Sequence, residues 1–295
     1  MALISTPDER FADLPGYDYE PRYVSVGEPE MAYVDLDGDG TETFLCLHGE
    51  PTWGYLYRKL IPTLRERGRV VVPDFVGFGR SEKYTDRDAY SFDMHYRSLE
   101  RFVEQLDLTG VTLVGQDWGG ILGMRLATQH PGRVARLVVM NTDVTDGSQE
   151  MPETWHRFAE VVATADELDV GQVLQNSCVT DLSETVLAAY DAPFPDERYK
   201  AGARTFPGLV PLDPDDPGAA EMRETRAALA EWEKPAFVLF SREDVIFSGV
   251  RDSLRELLPT ASDQPDVWID GAGHFLQEDA GEAVAEEILA FVDRS

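Results

Sequence analysis

Apolar residues fall along this chain in short unbroken runs more often than in strict alternation. Phe44–Leu47, Val70–Pro73, Val111–Val114, Leu137–Met140, Ala236–Phe240 and Val267–Ile269 are such runs. Continuous apolarity over a few residues predicts strands of a parallel sheet covered on both faces. Tyr23–Val26 and Met31–Asp35 precede them and predict an opening antiparallel pair. Amphipathic stretches lie between the runs: in Met94–Leu106, Leu99, Phe102, Val103 and Leu106 share one helical face. Strands alternating with helices predict a doubly wound α/β domain. The alternation stops near Asn141 and resumes near Trp232. The stretch between is helical in pattern and punctuated by Pro193, Pro195, Pro207, Pro211, Pro214 and Pro217. It reads as a helical cap over residues 145–225, inserted between core segments 1–144 and 226–295.

Composition narrows the class. Of 295 residues, 43% are apolar, enough for a sizeable core, which excludes a disordered or fibrous chain. Acids number 55 against 26 bases, a formal charge of −29. Phosphate attraction needs a basic surface, so neither nucleic acid nor an anionic membrane is an expected partner. Lysine occurs only at Lys59, Lys83, Lys200 and Lys234. Such a charge repels itself in dilute buffer, and salt at 1 M shortens the Debye length to ~3 Å; the expectation is a protein built for molar salt. Cys46 lies inside an apolar run and reads as core, Cys178 is distant, and no disulfide framework is expected. Without a signal-like N-terminus or an 18-residue apolar stretch, the expected location is cytoplasmic. Asp35–Gly40 imitates the start of a calcium loop, but Cys46 stands where its twelfth-position Glu is needed. A hairpin turn between the flanking strands is expected instead.

Candidate chemistry collects at strand ends. Val111–Val114 runs into Gly115-Gln116-Asp117-Trp118-Gly119-Gly120 and then a helical pattern. This is the spacing of a nucleophile elbow, with Asp117 where serine is usual. His48-Gly49-Glu50-Pro51-Thr52-Trp53 follows an earlier strand; a loop there lends a backbone N–H to an oxyanion hole, making Glu50 and Trp118 the expected donors. His48 itself reads as structural. Asp244 follows the strand Ala236–Phe240, and His274 follows the last strand. The order Asp117, Asp244, His274 is the nucleophile–acid–base order of this fold. His95, His130 and His156 read as structural residues without partners.

At these residues the chain resembles the haloalkane dehalogenases, more narrowly their first subfamily. The resemblance covers nearly the whole chain. It rests on His48–Trp53, Gly115–Gly120, Met140-Asn141-Thr142, the stretch Ala188–Asp196 and Gly271–Glu278. It implies an α/β-hydrolase fold with an inserted helical cap. Asp117 would be the nucleophile, His274 the base and Asp244 its acid partner, with Glu243 the neighbour not chosen. The indoles of Trp118 and Trp155 would hold the departing halide. An ionised carboxylate attacks sp³ carbon without a base to activate it, and indoles donate without adding a cation. The resemblance implies haloalkane, water and halide as small-molecule partners, no cofactor or metal, and a monomer or small homo-oligomer. An epoxide hydrolase is the alternative. It shares the aspartate, tryptophan and histidine but needs an acid for the epoxide oxygen, for which Tyr190 and Tyr199 are candidates. Glu50 and Gln116 depart from its pattern, which expects an aromatic residue and histidine there.

Overall fold

The computed structural model of the chain describes residues 2–295. Its strands are β1 (Leu3–Ile4), β2 (Arg22–Ser25), β3 (Glu30–Leu36), β4 (Glu42–Leu47), β5 (Gly68–Pro73), β6 (Lys83–Tyr84), β7 (Val111–Gln116), β8 (Val134–Met140), β9 (Ala236–Val238), β10 (Phe240–Ser241) and β11 (Trp268–Ile269). Seven form one sheet in the order β2-β3-β5-β4-β7-β8-β9. The first two pairings are antiparallel and the rest parallel. Phe44–Leu47, Leu113, Val114 and Leu137–Met140 are completely buried, as strands covered on both faces must be. Each such side chain contributes about 1.5–3 kcal/mol by leaving water.

The helices are α1 (Ile61–Arg65), α2 (Phe92–Gln105), α3 (Trp118–Gln129), α4 (Glu153–Thr164), α5 (Val170–Ser177), α6 (Glu184–Asp191), α7 (Ala201–Thr205), α8 (Ala219–Leu229), α9 (Arg251–Leu257) and α10 (Leu276–Arg294). Ser91 starts α2 by accepting the Met94 N–H on its hydroxyl at 3.1 Å, and Leu99, Phe102 and Val103 turn inward as their spacing predicts. The helices from α4 to α8 lie between β8 and β9 in sequence. Of these, α8 packs against α3, and the expected limit at 225 falls inside it. Among the described residues no helix is long and apolar enough to cross a membrane.

Two expectations need correction. The Asp-Gly stretch after β3 is not a hairpin turn, because β5 lies between β3 and β4. The segment instead docks on the end of α1 and the turn after it. Asp39 N donates to Arg65 O at 2.9 Å, and a Cβ at Gly40 would sit 2.0 Å from Arg67 O. The run Ala236–Phe240 is split at Leu239, whose N–H donates to Val139 O at 3.0 Å, and its end pairs with β11 as β10.

The start of α10 ties the core to the inserted helices. Buried Glu278 takes both terminal nitrogens of Arg58 at 2.5 and 2.6 Å, and the Tyr190 hydroxyl of α6 at 2.6 Å. Asp279 accepts the N–H groups of Val179, Thr180 and Gly273, each at 2.9 Å.

Candidate active site

Strand β7 turns into α3 at Asp117, whose φ of 52° and ψ of −125° few side chains tolerate. The turn is held from several sides. Asp117 N donates to Asn141 O at 3.1 Å, and Asp117 O accepts the Thr142 hydroxyl at 2.7 Å. Glycine is required where other backbone crowds the turn: a Cβ at Gly119 would lie 2.0 Å from Leu47 O, and one at Gly49 would lie 2.2 Å from Asp117 Oδ1.

The result is a largely buried carboxylate that lines a small cavity. Glu50 N donates to Asp117 Oδ1 at 2.8 Å. Burial pushes the Asp117 carboxyl above its usual range, against the pull of His274 and of the Trp118 and Glu50 N–H groups. His274 Nε2 lies 3.7 Å from Asp117 Oδ2, and Nδ1 lies 3.2 Å from Asp244 Oδ2. Burial lowers the proton affinity of this ring, but Asp244 and then Asp117 outweigh it and leave the affinity raised. Asp244 is completely enclosed and fixed by the Ile246 N–H, 2.8 Å from its Oδ1. Glu243 turns elsewhere, accepting the Ala272 N–H at 3.2 Å.

Side chains and backbone around the histidine loop fix it further. Asn141, at a φ of 36°, donates to His274 O at 2.9 Å and to the Ser241 hydroxyl at 2.7 Å. His274 N donates to Ser177 O at the end of α5, at 2.9 Å. The cavity over Asp117 has a volume of about 20 Å³, room for about one water. Trp118 of α3 and Trp155 of α4 line it together with Glu50, Phe247 and His274. The indole N–H of Trp53 is committed to Ala189 O at 3.1 Å; no hydrogen bond to the described residues uses those of Trp118 and Trp155. Among the described residues there is no group of three or more His, Cys, Asp or Glu able to hold a metal ion.

A family model for the alpha/beta hydrolase fold matches residues 42–281. A haloalkane dehalogenase of Psychrobacter cryohalolentis is 41% identical, over 99% of this chain and 98% of its own length. Haloalkane dehalogenase 1 of Mycobacterium tuberculosis is 42% identical, over 99% of both chains. The chain belongs to the haloalkane dehalogenases. In structure the dehalogenase is similar to the tetrameric haloalkane dehalogenase DpaA of Paraglaciecola agarilytica, with a TM-score of 0.92 and 37% identity over 98% of each chain.

Within this dehalogenase Glu50, Asp117, Trp118, Trp155 and His274 all line one cavity, with Asp244 directly behind His274. His48 uses both ring nitrogens on backbone, at Gly49 O and Phe75 N, each at 2.9 Å; burial pushes it down to about 4, so it stays neutral. His130 does have a partner, contrary to the expectation from sequence: its Nε2 lies 2.8 Å from Glu100 Oε1. Neither Tyr190 nor Tyr199 lines the cavity. Sequence reasoning passed over Asn141 and Ser177 as supports. Asn141 was visible only inside the motif Met140-Asn141-Thr142, and Ser177 acts through its carbonyl, which leaves no mark on side-chain pattern.

Proposed function

We propose that the chain hydrolyses the carbon–halogen bond of haloalkanes to an alcohol, a halide ion and a proton, by way of an alkyl ester on Asp117. The observation that carries this reading is the pairing of a buried, ionisable Asp117 with His274 Nε2 at 3.7 Å, in a cavity lined by two uncommitted indoles. In the first step an Asp117 oxygen attacks the halogen-bearing carbon in line. A carbon–oxygen bond forms, the carbon–halogen bond breaks, and the electron pair leaves with the halide. The N–H groups of Trp118 and Trp155 stabilise that anion.

In the second step a water gives a proton to His274 Nε2 while its oxygen adds to the ester carbonyl carbon. Asp244 orients the ring and stabilises the imidazolium. The Glu50 and Trp118 N–H groups hold the tetrahedral oxyanion, each worth about 3 kcal/mol. Collapse breaks the bond to the alkoxide, which leaves as alcohol with a proton, and Asp117 is regenerated. Residues 145–225 act as a cap over core segments 1–144 and 226–295, and substrate entry widens the small cavity beneath it.

Asp117 activity on epoxides is disfavoured because Tyr190 gives its hydroxyl to Glu278 and lies outside the cavity. The charge of −29 supports work in molar salt. Assembly as a small homo-oligomer finds support in the tetrameric structural neighbour. The test is gas-chromatographic detection of alcohol from 1-bromobutane and 1,2-dibromoethane in molar KCl. Alcohol from the wild type and none from Asp117→Ala is expected; no alcohol from folded protein, with turnover of styrene oxide, would overturn the reading.

A further inference from the structure

Gln116 ends β7 one residue before the nucleophile and is completely buried. Its amide nitrogen lies 3.1 Å from His274 Nε2 and 3.3 Å from the His274 carbonyl oxygen. A carbonyl oxygen only accepts, so it fixes the amide with its NH₂ end facing the histidine. One N–H goes to that carbonyl and the other is left for Nε2. On the opposite side of the ring, Nδ1 faces Asp244 Oδ2 at 3.2 Å, so Nδ1 carries the ring proton and Nε2 presents its lone pair. Among the described residues the Gln116 amide oxygen has no partner, and the amide nitrogen is the end that faces Nε2. An imidazolium here would direct an Nε2–H at an NH₂ group.

We propose that Gln116 is a positioning residue for the base, holding His274 neutral with Nε2 unprotonated until the attacking water replaces the amide as its donor. This rests on the reading of His274 as the base. The need for it follows from what surrounds the ring. Asp244 and Asp117 stand at its two ends, and Glu50 lines the same cavity. From the same loops Glu243 takes the Ala272 N–H, and from α10 Asp279 takes the Gly273 N–H. The cap meets the loop through the Ser177 carbonyl, and Phe247 and Phe275 add only rings. Every ionisable group in this set is an acid; burial holds Glu50 toward its neutral form, but the carboxylates of Asp244 and Asp117 at the two ends of the ring favour its protonation, and a protonated ring cannot accept a proton from water. The Gln116 amide is the one neutral donor aimed at Nε2 among the described residues.

The test compares wild type with Gln116→Met, which keeps the length and removes the donor, and Gln116→Glu, which replaces donor by acceptor. Steady-state alcohol formation from 1-bromobutane, the single-turnover bromide burst and the ¹⁵N NMR titration of His274 Nε2 are followed against pH. In Gln116→Met the acid limb of turnover and the Nε2 titration should both move up by about one pH unit, a tenfold gain in proton affinity. In Gln116→Glu they should move further. The burst, which does not use His274 as a base, should keep its pH dependence. A merely structural role would lower turnover by one factor at every pH and leave the titration in place, and that result would overturn the proposal. An unmoved Nε2 titration in whichever variant folds would do the same. His274→Ala separates the two readings. If it turns over like wild type, the base assignment itself fails; if it stalls after the burst while the Gln116 variants keep the wild-type limb, only the role of Gln116 fails.

Discussion

Asp117 and His274 are both displaced toward their protonated forms, and the two halves of the reaction feel this differently. Asp117 must be ionised for the first step. Burial raises its proton affinity, and the adjacent histidine and two N–H donors oppose that rise without cancelling it. His274 must be neutral for the second step, and its two acid neighbours leave it protonated to higher pH than an ordinary histidine. The sign is therefore set: as pH falls, turnover is lost first, with a midpoint above about 6.5, while halide is still released once per molecule. Rapid-quench bromide measurement across that window should find a burst of one equivalent without turnover; burst and turnover vanishing together would contradict this assignment. At the proposed halide site, Trp155→Phe removes one N–H donor to an anion. Such a hydrogen bond is worth about 1.5–3 kcal/mol, so bromide affinity should fall by roughly tenfold or more, read by bromide inhibition. Unchanged affinity would remove Trp155 from the halide site.

Among the elements, α10 ties the core to the helices of the proposed cap. Its Glu278 is buried, yet Arg58, Tyr190 and Lys59 hold its carboxyl below the usual glutamate range. A folded-state value below the unfolded one means the stabilisation is present above about pH 4.5 and is lost as pH falls through the folded value. Glu278→Gln leaves Arg58 buried without its charge partner and should cost about 3–5 kcal/mol at neutral pH, measured by urea unfolding. A cost within experimental error would mean that water reaches the pair. The strands around the site were readable because burial on both faces demands continuous apolarity, as in Phe44–Leu47 and Val111–Val114. The elbow was readable because glycines must flank it. The turn after β3 was misread because Asp-Gly is a local signal, whereas the insertion of β5 between β3 and β4 is a long-range pairing. Asn141 was legible only as part of a motif, and the supporting roles of Ser177 and Asp279 escaped notice because they act on or through backbone groups distant in sequence, which no side-chain spacing encodes.

At the scale of the whole molecule the charge of −29 is the dominant feature. Several surface acids are already paired with arginine, as at Arg67 with Asp293 and Arg198 with Asp196, but 26 bases cannot neutralise 55 acids. The remaining repulsion is long-ranged at low salt and screened within ~3 Å at 1 M. The melting temperature should therefore climb steadily from ~10 mM to molar KCl; a maximum in dilute buffer would contradict adaptation to salt. The proposed work in molar salt also requires that chloride not fill the site. Chloride inhibition should set in only near molar concentration, and a submillimolar inhibition constant would contradict that.

A single turnover of 1-bromobutane by excess enzyme in H₂¹⁸O separates a covalent route through Asp117 from direct attack by water. Hydrolysis of an Asp117 ester at its carbonyl carbon predicts one ¹⁸O in the peptide containing Asp117 and an alcohol carrying ¹⁶O. Alcohol labelled with ¹⁸O in that first turnover, with Asp117 unlabelled, would mean that water attacks the substrate directly and that no ester forms on Asp117.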